Sequence, residues 1–123
     1  MAGPQVRIDV EWCRPEAASG RLRVVWGVHN DGPDQLRLED AWIPHGRFRG
    51  DGHLPLSVVI DPGASARLEF VVSASEAPLT VVENAFLILR SGAWRIFARM
   101  RVEFDDQAQA VPVVEAVTAQ SLQ

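Results

Sequence analysis

Lysine is absent from this chain: all twelve cationic side chains are arginine, set against sixteen carboxylates. That absence excludes Schiff-base chemistry and the lysine of phosphate-binding loops. The net charge of −4 leaves no dominant excess of cations to release the counterions of a nucleic acid, so no nucleic-acid partner is expected. Cys13 is the single cysteine, which excludes an intrachain disulfide and leans toward a reducing compartment. No apolar run approaches the roughly 18 residues of a membrane span, and no signal-peptide core precedes the first alternating segment. These features lead to the expectation of a soluble, cytoplasmic protein with no membrane partner.

What is present is alternation. With 123 residues, 47% of them hydrophobic and 23% charged, the chain fits one globular domain. Val6, Ile8, Val10 and Trp12 alternate with Arg7, Asp9 and Glu11. Successive strand side chains point to opposite faces, so this segment reads as a half-buried strand. Arg14-Pro15 breaks it and Ala18-Ser19-Gly20 completes a loop. Leu22, Val24, Trp26 and Val28 repeat the pattern before turn residues 29–33. Leu36 and Leu38 open a third strand, whose phase blurs from 40 to 43 as a β-bulge would make it.

Leu56, Val58 and Ile60 form a fourth strand, and Ala66, Leu68, Phe70 and Val72 a fifth. The apolar run 86–89 and the alternation of Trp94, Ile96, Ala98, Met100, Val102 and Phe104 read as a hairpin. Short strands, turn signals and no helical period between them predict an all-β fold, an immunoglobulin-like sandwich of about seven antiparallel strands over residues 1–104. Residues 105–123 read as a tail that offers a possible edge strand. Trp12, Trp26, Phe70, Phe86, Trp94 and Phe104 are the bulkiest expected core members.

Two segments carry a resemblance. Val24-Val25-Trp26-Gly27-Val28-His29-Asn30-Asp31-Gly32-Pro33 resembles the V-x-N-x-G strand and turn of bacterial immunoglobulin-like, adhesion-related (CARDB-like) repeats. Residues 60–70, with Asp61-Pro62-Gly63, resemble the Pro-Gly entry of those repeats into a core strand. Asn and Gly tolerate positive φ in such a turn, and Pro-Gly sets a tight corner. The resemblance implies a non-catalytic binding or spacer module.

No catalytic constellation is expected. There is no G-x-S-x-G elbow, Cys13 has no base guaranteed by its surroundings, and Asp105 and Asp106 point oppositely if they lie on a strand. The chain therefore reads as no enzyme, with no cofactor. His45, Asp51 and His53 share a glycine-rich loop, but their spacing matches no zinc motif and no metal is expected. Arg47 and Arg49 bracket Phe48 and suit an anion, and Trp42 offers a ring on which a sugar can stack. Trp42, His45, Arg47, Arg49 and His53 thus form a candidate ligand-binding region.

The final hairpin supplies the main candidate. Setting Arg90 opposite Trp94 across a three-residue loop turns Ile88, Ile96, Phe86 and Ala98 inward. Leu89 then faces Arg95 on the outside, Leu87 faces Phe97, Ala85 faces Arg99 and Glu83 faces Arg101. A one-residue slip would oppose Arg90 and Arg95, which disfavours it. The expected outer face carries Leu87, Leu89 and Phe97 flanked by Arg95, Arg99 and Arg101, and such an apolar patch needs a cover. Tail residues 111–117 or another protein chain would provide it. The primary expectation is a non-enzymatic interaction or assembly module that binds itself or a larger complex; a small-ligand, anion or carbohydrate module using residues 42–53 is the second.

Overall fold

A computed structural model describes residues 3–17 and 20–122. The loop residues Ala18 and Ser19, like Met1 and Ala2, lie outside the described residues. In chain order the strands are β1 (Val6–Pro15), β2 (Arg21–Asn30), β3 (Leu36–Trp42), β4 (Pro44–His45) and β5 (Phe48–Arg49). They continue as β6 (Leu54–Ile60), β7 (Ser65–Ser73), β8 (Val81–Ser91), β9 (Trp94–Phe104) and β10 (Ala110–Ser121). No helix occurs among the described residues.

Two five-stranded sheets result, ordered β1-β2-β7-β5-β4 and β10-β9-β8-β3-β6, with antiparallel pairing throughout. The all-β expectation holds, with ten strands in place of about seven. The additions are the short β4 and β5 and the tail segment, which pairs edge-on with β9 and does not fold over a sheet face.

The core lies between the sheets and draws on both. Val24, Trp26 and Val28 of β2 and Leu68, Phe70 and Val72 of β7 meet Leu87 and Leu89 of β8 and Ile96, Met100 and Val102 of β9. Each fully buried large side chain contributes roughly 1.5–3 kcal/mol by leaving water. The rings of Trp26 and Phe70 pack tilted, 5.6 Å apart at their centroids.

The turn motif at Asn30 works by hydrogen bonding and not by positive φ, which neither Asn30 nor Gly32 adopts. The buried Asn30 amide donates to the carbonyl oxygens of Asp34 (2.8 Å) and Ile60 (2.9 Å) and accepts from the Gly32 N–H (3.0 Å). It locks the β2–β3 turn to the end of β6. Gly63, at φ 78°, does need the freedom of glycine in the Pro-Gly corner.

One bulge overturns a local expectation and another bears one out. A register shift between Val10 and Trp12 in β1 brings Cys13 against the core and leaves Trp12 half-buried, opposite Val25, with the Arg14 guanidinium 4.6 Å above its ring. Trp12 is therefore not a core residue. The phase change read near residue 40 is a bulge between Leu38 and Asp40. Phe48, expected in a surface loop, is fully buried, held by the two-residue strands β4 and β5.

The hairpin register is the larger correction. Ser91 pairs with Trp94, so the loop is the two residues Gly92-Ala93, with Gly92 at φ 58°. A glycine at the first central position is what a type II′ hairpin turn demands. Arg90 then opposes Arg95, Leu89 opposes Ile96, Ile88 opposes Phe97 and Leu87 opposes Ala98. Leu87 and Leu89 are fully buried, and Phe86 and Ile88 take the outer face. The expected Glu83–Arg101 pair does not form: a bulge between Val82 and Ala85, with Asn84 at φ 57°, displaces Glu83.

Candidate functional site

Three cross-strand pairings line up across the outer face of the β10-β9-β8-β3-β6 sheet. Trp42 of β3 faces Ile88 of β8, Ile88 faces Phe97 of β9, and Phe97 faces Thr118 of β10. The row is a transverse apolar stripe, because side chains at paired positions stand on the same face. Phe86, one pair further along, sets its ring edge-on to Phe97 at 6.2 Å and 86°. Trp42, Phe86, Ile88 and Phe97 are all half-buried.

Cations border this stripe. Arg90 pairs with Glu39 of β3 at 3.1 Å, which relieves its opposition to Arg95. Arg101 reaches Glu103 (3.2 Å) and Glu115 (3.7 Å), although its Nε lies too far out of line for a hydrogen bond. Arg95 and Arg99, at positions two before and two after Phe97, are exposed and have no ion pair or hydrogen bond among the described residues.

The opposite outer face, on β1, β2 and β7, is built differently. Arg7 pairs with Asp31 at 2.6 Å, Arg21 with Asp51 at 2.7 Å, and Arg67 with Glu11 at 2.7 Å. Arg23 reaches both Glu16 and Glu69 at 2.7 Å. The Arg7 and Arg21 guanidiniums hold the Asp31 and Asp51 carboxyls below the usual carboxylate range, chiefly through their hydrogen bonds. Such exposed pairs contribute little stability individually, but they engage these four arginines within the face.

That face also holds a chain of bonds the sequence reading missed. His29 Nδ1 lies 2.6 Å from Ser65 Oγ, and its Nε2 lies 2.9 Å from Asp9 Oδ2. Gly27 makes room for it, since a Cβ there would sit 2.6 Å from Asp9 Oδ1. Nucleophile, imidazole and carboxylate stand in order, yet the neighbouring N–H groups of Gly63 and Ala64 already donate to Asn30 O and Asp61 O. Hydrolytic chemistry needs donors aimed at a developing oxyanion, and these two are occupied. Outward positions of β1, β2 and β7 shared by one acid, one imidazole and one hydroxyl were the available signal.

The candidate ligand region divides. Trp42 and His53 do come together, stacked 4.5 Å apart at 24°, with His53 Nδ1 2.7 Å from Asp40 Oδ2. They line a depression of about 450 Å³ that also meets Pro55, Ile88 and Arg95. His45 remains on the β4–β5 hairpin, where its Nδ1 accepts from the Arg47 N–H at 3.0 Å. Arg47 is bound to Glu76, and Arg49 stands opposite Ser73, so the two do not converge into an anion fork. Asp51 is held by Arg21, and no group of three or more His, Cys, Asp or Glu residues placed to hold a metal ion occurs among the described residues.

Of the residues expected at the hairpin interface, Arg95, Phe97, Arg99 and Arg101 occupy the outer face, while Leu87 and Leu89 are core. Phe86 and Ile88 replace them. No helix in the described residues is long and apolar enough to cross a membrane. No family model, curated protein or solved structure matches the chain.

Proposed function

We propose that this protein is a non-enzymatic, immunoglobulin-like interaction module that docks a protein partner on the outer face of β8 and β9. The observation that carries the reading is the contrast between the two outer faces. On one, Arg7, Arg21, Arg23 and Arg67 are all paired with carboxylates, whereas the other leaves Arg95 and Arg99 unpaired on either side of Phe97. Aromatic and arginine side chains together are the usual anchors of protein interfaces. The immunoglobulin-like assignment draws support from strand order, since β1-β2-β7 against β6-β3-β8-β9 follows the A-B-E and C′-C-F-G arrangement of that fold. Kinship with adhesion-related repeats rests on the two turn motifs alone.

The test is photo-crosslinking in the producing cell, with p-benzoylphenylalanine placed at 88 or 97 on one face and at 67 on the other. Discrete adducts from 88 and 97 but not from 67 support the reading. Equal adducts from 67, or none from the hairpin positions, count against it.

A second reading has one specific observation behind it: the Trp42–His53 stack beside Arg95 suits a small planar or sugar ligand. Melting temperatures unchanged across glycan and organic-anion panels would remove it.

A further inference from the structure

Resting on the interface just proposed, we infer that its occupant is an extended acidic segment of a different protein, with two carboxylates bracketing one apolar side chain. Arg95, Phe97 and Arg99 stand at alternate positions of β9 and so project from one face. At the rise of a strand, the two arginine Cα atoms are about 13 Å apart with the phenyl ring midway. Each guanidinium is exposed and unpaired, a fork ready for a carboxylate.

A partner running acid-x-apolar-x-acid in extended form repeats this spacing. It lays its apolar side chain on Phe97, Ile88 and Phe86 and brings one carboxylate to each arginine. On a helix, carboxylates four residues apart rise only about 6 Å and miss the match.

Two considerations point away from a second copy. Nowhere in the 123 residues do two carboxylates stand four positions apart, so no single extended segment of this chain repeats the acid-x-apolar-x-acid spacing. A two-fold axis through Phe97 would also set the unpaired arginines of one copy against those of the other. A nucleic acid is disfavoured by the apolar ring set between the two arginines of the stripe, since phosphate binding scales with the number of cations engaged.

The experiment is a fluorescence-polarisation titration of the full chain with a labelled synthetic peptide containing Glu-Thr-Leu-Thr-Glu. A peptide with the two Glu residues adjoining Leu and an oligothymidylate serve as controls. The spaced peptide is expected to bind about tenfold more tightly than either control, and Arg95→Gln or Arg99→Gln to weaken it by about tenfold, the loss of one charge-assisted bond. Circular dichroism checks that both variants stay folded.

Absent binding, equal binding of both peptides, equal binding of oligothymidylate, or indifference to the arginine changes would overturn the inference. A dimer in sedimentation equilibrium that Phe97→Asp dissociates would overturn the foreign partner while leaving the face an interface. Failure of the crosslinks at 88 and 97 would overturn the face itself.

Discussion

The indole N–H of Trp26 on β2 donates to the thioether sulfur of Met100 on β9, 3.4 Å away, joining the two sheets through the middle of the core. Both side chains are fully buried. Met100→Leu conserves much of the volume but removes the acceptor, leaving a buried donor unpaired. The expected cost is about 1–2 kcal/mol, read as a lower urea midpoint at unchanged m-value.

Asn30 concentrates more stability in one side chain. Asn30→Ala strands the carbonyl oxygens of Asp34 and Ile60 and the Gly32 N–H, three groups that the amide now satisfies. A loss of about 2–4 kcal/mol is expected in chemical denaturation. Asn30→Asp should be no better, because a carboxylate cannot donate to the two carbonyls it would face.

Burial pushes the Cys13 thiol up to about 11, so almost none of it is thiolate at neutral pH. Thiolate is the reactive form. Native protein should react with Ellman's reagent far more slowly than a free thiol, and at the ordinary rate once unfolded in denaturant. Equal rates in both states would show that the β1 bulge does not turn Cys13 to the core.

Asp31 and Asp51 titrate below the ordinary carboxylate range because of Arg7 and Arg21. Depressed folded-state values mean that acid favours the unfolded chain. Their contribution is intact above the unfolded carboxylate pKa of about 3.9 and is lost as pH falls through the lower folded values. Below about pH 4, the melting temperature of Asp31→Asn and Asp51→Asn should therefore fall less steeply than that of the wild type. In about 1 M salt the difference should shrink, since these pairs are exposed.

Alternation made most strands legible, and the bulges account for much of what was not. On β9 every second residue from Ile96 to Phe104 is core, as its clean period-two pattern indicates. On β8, residues 86–89 are all apolar, so the pattern carries no phase and only the length of the hairpin loop sets the register. The arginine opposition that disfavoured the true register is relieved by Glu39, a residue of a third strand that hairpin reasoning does not reach. A bulge in β1 similarly reversed Trp12 and Cys13. At the candidate site Arg95, Phe97 and Arg99 were readable from β9, whereas the stacking of His53 on Trp42 depends on how β3 and β6 bring distant segments together.

Which side of β8 meets water decides whether the proposed interface exists, and a cysteine walk measures it directly. In a Cys13→Ala background, Phe86→Cys, Leu87→Cys, Ile88→Cys and Leu89→Cys are each exposed to a maleimide under native conditions. Rapid labelling at 86 and 88, with 87 and 89 protected until the protein unfolds, is the expected result. Labelling at 87 and 89 with protection at 86 and 88 would contradict it.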